Sequence, residues 1–345
     1  MWEYERVDDA PAELSPTRTS HYDSTRSVFF PPSALPLPPL PALSHSILSR
    51  YLDPQTLGRL AQRSLEPRGL VLGMLAGSHK SPLAGFAVEF AGHREYTAGD
   101  DLRHLDWRVY YRREKFFIKQ YEMETNLTCH LVLDFSESMR YGEGDEQKLL
   151  YASRMAVILA KLVTAQSDQV SLAALDESVA FAVPPSNSPA QVIRFAEEID
   201  KLQPRRTTKL EDCLQQLVGR WGRRQIVMIF SDYLTDLEAL EPALQRLRYQ
   251  RHEVVLFHVL HHDELTFQFE GQVRFRGLEG LEELTTQPEE LRALYLEALA
   301  RHNGALDDLC RRNRIERVPV DTSQTVGDVL LDYLNKRQHA GTSRF

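Results

Sequence analysis

Cysteine is scarce: Cys129, Cys213 and Cys310 lie about a hundred residues apart in a chain of 345 and form no CxxC pair. That spacing excludes a disulfide framework and a zinc knuckle and predicts a reducing compartment. No apolar run approaches the roughly 18 to 20 residues of a membrane-spanning helix; the best candidate, Met155 to Ala165, is short and contains Lys161. The start, Met1 to Asp9, is acidic and aromatic where a secretory signal would be basic and then apolar. A cytoplasmic protein without a membrane span is expected. Positive charge is not in excess either, with 41 Lys and Arg against 49 Asp and Glu and a formal charge of −8. Such a balance gives no global drive toward nucleic acid or anionic lipid. No GxSxG, P-loop or HExxH motif occurs, so hydrolase and nucleotidase readings lack a nucleophile or a phosphate cradle.

What is present is a chain with 42% apolar and 26% charged residues, ordinary for a folded protein and long enough for about two structural units. Eight of the eighteen prolines fall within residues 1–44. A run of this kind sustains neither helix nor central strand, and residues 1–45 are expected to form a disordered Pro-rich tail. Residues 46–126 are expected to hold a helix at Pro54 to Leu65 and then a small β-rich unit with a strand at Phe116 to Tyr121. From residue 127 to 337 strands and helices alternate. Strands are predicted at Leu127 to Phe135, Val170 to Leu175, Val179 to Val183, Arg224 to Phe230, Glu253 to Leu260 and Ile315 to Val320. Helices are predicted at Glu146 to Gln166, Pro189 to Leu202, Leu210 to Trp221, Leu237 to Tyr249, Glu289 to Arg312 and Val326 to Lys336, with a hairpin-like insertion around Phe267 to Phe275. Crossover connections of this length demand a mostly parallel sheet covered on both faces, a doubly wound α/β fold. Residues 338–345 are expected to be a disordered tail.

In such a sheet a site forms at the carboxyl ends of the strands. The first strand ends in Asp134-Phe-Ser136-Glu-Ser138, another in Ser231-Asp232, and Thr207-Thr208 stand in the loop opening the Leu210 helix. Hydroxyls and carboxylates converging there are hard oxygen donors that suit Mg²⁺ or Mn²⁺. The segment from Arg94 to Lys119 carries seven cations against five carboxylates, a net +2, interleaved with aromatics. Its balance favours pairing of Asp100, Asp101 and Asp106 with neighbouring arginines over nucleic-acid binding. Trp107 is expected to be buried against the α/β domain, because about fifty residues bury too little surface to be stable alone. His258, His261 and His262 alternate in direction along a strand and its exit, which argues against a metal cluster.

The set Asp134-x-Ser136-x-Ser138, a threonine about seventy residues on and Asp232 after a further strand resembles the metal-ion-dependent adhesion site (MIDAS) of von Willebrand factor A (vWA) domains. Upstream, Gly77-Ser-His-Lys-Ser81, Arg94-Glu-Tyr96, Gly99-Asp-Asp-Leu-Arg103, Asp106-Trp107 and Lys119-Gln-Tyr121-Glu resemble the vWA-like family called domain of unknown function 58, over roughly residues 70–337. The resemblance implies a metal site of Asp134, Ser136, Ser138, Thr208 and Asp232, with Thr207 the alternative to Thr208. In it the hydroxyls touch the ion, the aspartates act through water, and an acidic residue of a protein partner takes the open position. It also implies no enzymatic activity and a MoxR-type AAA+ ATPase as companion. The alternative is a metal-dependent hydrolase using the same groups. In two places the pattern differs: Arg205-Arg206 precede the threonines where glycines are usual, and Tyr233 follows Asp232 in place of glycine, which predicts a narrower mouth.

Overall fold

The computed structural model describes residues 2–6, 47–67, 79–81, 89–97, 105–125, 127–202, 209–269, 273–277, 284–286 and 288–342. Along the chain come β1 (Trp2–Arg6), α1 (Pro54–Leu60), β2 (His79–Ser81), β3 (Glu89–Glu95), α2 (Trp107–Arg113) and β4 (Phe117–Thr125). There follow β5 (Thr128–Asp134), α3 (Lys148–Ala165), β6 (Gln169–Leu175), β7 (Val179–Ser186), α4 (Ala190–Lys201) and α5 (Leu210–Val218). The remainder is β8 (Ile226–Ser231), α6 (Leu237–Tyr249), β9 (Glu253–Leu260), α7 (His262–Thr266), β10 (Val273–Gly277), β11 (Leu284–Thr286), α8 (Pro288–Asn313), β12 (Glu316–Asp321) and α9 (Val326–Thr342).

Six strands form the main sheet in the order β12-β9-β8-β5-β6-β7. All neighbours are parallel except β6 and β7. The expected doubly wound α/β architecture is therefore present. β5 and β8 are buried at every position, as strands covered on both faces must be, and their apolar runs were the sequence signal for this. On one face α3, α4 and α9 pack Met155, Leu159, Phe195, Leu330 and Leu334 against the sheet. On the other, α5, α6 and α8 contribute Leu214, Leu217, Leu244, Leu247, Leu306 and Leu309. The chain leaves β5 toward β6 and β7, then returns past it to β8 and moves outward to β9 and β12. The order reverses between β5 and β8, so a crevice opens at their carboxyl ends.

Two further antiparallel sheets stand apart from this one, β2-β4-β3 and β1-β10-β11. The first is the expected β-rich unit. The second corrects the expected disorder of the N-terminal tail at residues 2–6: Trp2 and Tyr4 alternate with charged residues, a pattern that suits a strand, and Tyr4 pairs with Phe275. The other residues of that tail, 1 and 7–45, lie outside the described residues. Helix α9 continues to Thr342, past the expected start of the C-terminal tail at 338, since between Gly327 in its first turn and Gly341 no proline or glycine interrupts it.

Helix α2 was not expected, and it changes the reading of its neighbours. Asp106 caps it, accepting from the Arg108 and Val109 amides, and Glu114 closes it in a left-handed conformation. Asp106 also pairs with His93 at 2.8 Å. Trp107, at the first helical position, is 57% exposed. It meets Tyr110 edge-on, and the stack that orders this segment is Tyr110 on Phe116 at 4.6 Å. Asp100 and Asp101 lie outside the described residues.

Candidate functional site

Asp134, the last residue of β5, leaves the sheet into a short 3-10 turn over Glu137–Arg140. Its Oδ1 accepts from the Ser136 amide at 2.9 Å, and its Oδ2 accepts from the Ser231 hydroxyl at 2.6 Å. The first bond folds the backbone around the carboxylate; the second ties the ends of β5 and β8 together. Ser136 and Ser138, two residues apart on this turn, share a hydroxyl–hydroxyl hydrogen bond of 2.9 Å. Ser138 also hydrogen-bonds to Asp232. Four of the five expected ligands thus converge in one buried network. Thr208, with Thr207, Arg205 and Arg206, lies outside the described residues.

Asp232 is held by a group that sequence reasoning missed. Lys148 opens α3, is 0% exposed, and places Nζ 2.8 Å from Asp232 Oδ2 and 3.0 Å from Glu264 Oε1. Burial by itself would lower the lysine, but the two carboxylates outweigh it and leave the ammonium above its usual range. At Asp232 burial pushes the carboxyl up, yet the Lys148 ammonium and the hydrogen bonds from Lys148, Ser138 and the Leu234 amide hold it below the ordinary value. Glu264 goes the other way: burial raises it more than Lys148 lowers it. The ion pair proper is therefore Lys148 with Asp232, and Glu264 is the less acidic second acceptor. Glu264 is fixed by the His261 amide at 2.7 Å as part of a capping box at the start of α7.

The signal for Lys148 lay in the helical period. It precedes Ala152 by four residues and so stands on the same stripe as Ala152, Ala156, Leu159 and Val163, the face that packs on the sheet. A lysine on a buried stripe calls for a carboxylate opposite.

Tyr233 does not narrow the mouth. Its backbone adopts φ 50°, the left-handed region that glycine takes easily, and its ring turns back into the core beside Val132, Ile229 and Leu244. There its hydroxyl donates to the Ile229 carbonyl at 2.8 Å. Gly142, four residues past Ser138, has φ +94°, and a Cβ there would stand 2.7 Å from the His261 ring. Close approach of α7 to the turn over Glu137–Arg140 depends on that glycine. His258 accepts from the Arg317 guanidinium and, with burial as the first cause and Arg317 the second, is depressed to about 3. It is a neutral structural histidine, as the strand-end reading expected. Glu264 also borders a cavity of about 410 Å³ with Tyr141, Leu234, Phe267, Phe269 and Tyr295.

The oxygen donors suit a hard divalent cation, but the charge of the set does not. A fully buried ammonium already holds Asp232, so a divalent ion would enter beside an immobile positive charge. Among the described residues no three His, Cys, Asp or Glu side chains are grouped so as to hold a metal, and no helix is long and apolar enough to cross a membrane.

A family described as "Protein of unknown function DUF58" matches residues 92–305. Uncharacterized proteins Rv1480 of Mycobacterium tuberculosis (strain ATCC 25618 / H37Rv) and Mb1516 of Mycobacterium bovis are each 25% identical over 286 residues, spanning 81% of this chain and 88% of theirs. Among solved structures, the conserved hypothetical protein BatB from Bacteroides thetaiotaomicron aligns at 15% identity over 61% of this chain and all of its own, with a TM-score of 0.41. The SpRpn10 VWA domain aligns at 12% identity over 60% of this chain and 94% of its own, with a TM-score of 0.35.

Proposed function

The chain belongs to the DUF58 family, and on that premise we propose that it is a non-enzymatic protein-interaction module of vWA type, docking its partner at the crevice between β5 and β8. One observation carries this reading: the polar groups at the crevice are spent on one another. The Ser136 and Ser138 hydroxyls bond to each other, Asp134 is closed by Ser231 and the Ser136 amide, and Asp232 is closed by Lys148. A hydroxyl nucleophile needs a base within hydrogen-bond reach, and each hydroxyl here faces another hydroxyl or a carboxylate already engaged by a further donor, the Ser136 amide at Asp134 and Lys148 at Asp232. Such a network is built for rigidity, which suits a docking surface.

A MoxR-type AAA+ ATPase is the companion that the family resemblance implies. An acidic partner residue enters that resemblance only through a bridging Mg²⁺ or Mn²⁺, and Lys148 is too deeply buried to meet such a residue itself. The proposed contact is therefore with the rim of the crevice.

The test is co-purification of the full chain with the MoxR-type ATPase of the same cell, with Ser136→Ala/Ser138→Ala as the site variant. Complex formation that the double variant weakens at unchanged melting temperature is the expected result. Turnover of generic phosphate esters by the purified wild-type chain, lost in the same variant, would instead establish the hydrolase reading.

A further inference from the structure

We propose that Lys148 is the resident cation of this site: its ammonium takes the place of the divalent ion that Asp134, Ser136, Ser138 and Asp232 would otherwise attract. The consequence for partner binding rests on the interaction reading above; the identity of the cation does not.

Lys148 is placed against its own preferences. It is the first residue of the 18-residue helix α3, where the helix dipole opposes a cation, and it is fully buried, where an unpaired ammonium is costly. Only the carboxylates at 2.8 and 3.0 Å offset both penalties. The position is also rigid. The Lys148 amide donates to the Tyr141 carbonyl at 3.1 Å, and Leu149, Tyr151 and Ala152 beside it are buried, so the backbone that carries the side chain is anchored.

The acceptors are occupied as well. Asp232 receives Lys148 on Oδ2 and the Leu234 amide on Oδ1 at 3.2 Å. Asp134 receives the Ser231 hydroxyl and the Ser136 amide on its two oxygens. A divalent ion would have to loosen these bonds while standing within a few ångströms of a fixed like charge, and the lysine returns nothing for the exchange. An internal cation also removes any dependence on the ambient metal concentration.

The test reads melting temperature with and without millimolar Mg²⁺ or Mn²⁺ and then with excess EDTA. Wild type is expected to show no EDTA-reversible shift. Lys148→Met, or Lys148→Met/Glu264→Gln if the single variant does not fold, is expected to gain a saturable shift, with affinity at least about tenfold tighter than wild type. A wild-type shift abolished by Ser136→Ala/Ser138→Ala would overturn the proposal, and so would a folded Lys148→Met protein that ignores both ions. Asp232→Asn decides independently of folding yield in the lysine variants. This change leaves the buried ammonium with Glu264 alone, so it lowers the metal-free melting temperature if Lys148 is the cation, and an unchanged value would overturn the proposal. In the partner assay the complex should survive EDTA, and a chelator-sensitive complex would refute metal-free docking. Absence of any complex would count against the interaction reading alone and leave the melting result standing.

Discussion

Lowering the pH should destabilise this protein through His130, and the size of the effect follows from its surroundings. The ring sits in β5 with its Nδ1 2.5 Å from the Ser171 hydroxyl, its Nε2 2.7 Å from Gln225 Oε1 and the Trp221 ring stacked on it at 4.4 Å. With Nε2 donating to the amide oxygen and Nδ1 accepting from the serine, every polar atom of the neutral ring is satisfied. Burial is the main reason that the ring is pushed down from 6.5 to about 4, partly countered by Gln225. A depressed histidine contributes stability that is full above its unfolded value and drains away as the pH falls toward its folded value, because the unfolded chain takes the proton first. At about 1.4 kcal/mol per unit, the step from about pH 7 to about pH 5 costs roughly 2 kcal/mol for this one ring. His252 and His258, depressed to about 4 and about 3, add to the wild-type loss but are common to any His130 variant. Urea unfolding of wild type and His130→Gln at the two pH values isolates the ring: the variant should lose less stability on acidification, by roughly 2 kcal/mol. Equal losses in the two proteins would refute the assignment of a neutral buried His130.

Gly142→Ala should lower stability by about 1 to 3 kcal/mol in a thermal or urea melt, since the new methyl group combines an unfavourable positive φ with contact against His261; an unchanged melt would mean that the turn can shift. Arg337 is 1% exposed and meets Glu253 at 2.6 Å, Glu316 at 3.8 Å and the Tyr333 hydroxyl at 2.9 Å. Arg337→Met should cost about 3 to 5 kcal/mol, because it strands carboxylates beside each other. Adding Glu253→Gln should recover part of that loss, and no recovery would show that packing, not charge, holds α9 to the sheet.

The α/β domain was legible because its strands carry apolar runs and its helices carry a clear period; α6 and β9 fall at the expected residues. Helix α2 was not legible. Its aromatic and cationic residues have no apolar stripe, and it exists through the Asp106 cap and the left-handed Glu114, both local backbone choices. At the site, Asp134, Ser136, Ser138 and Asp232 could be brought together from strand ends alone, since sheet topology fixes where strand ends meet. Lys148 and Glu264 could not be assigned to the same place: they stand 84 residues from Asp232 and 116 residues from Lys148 respectively. The helical period sets Lys148 on the buried stripe, but which carboxylates face it is fixed only by the fold of the opposite wall. Tyr233 was expected to narrow the mouth because it stands where the resembling pattern has glycine, but its positive φ sends the ring inward.

Pairing of β1 with β10 joins residues from the two ends of a long stretch of chain, Trp2 meeting Gly277. On a ribosome adding about 5 to 20 residues per second, the first strand waits on the order of ten to sixty seconds for its partner to be made. Through that interval Trp2 and Tyr4 are nascent chain without a template, while β5, β6 and β8 already have one another. The order of synthesis therefore places the pairing of β1 with β10 after β5, β6, β8 and β9 have been made and before β12 and α9 complete the main domain. In a chain stalled on the ribosome after β9 the leading residues should still be cleavable, and they should gain protection only once β10 has been made.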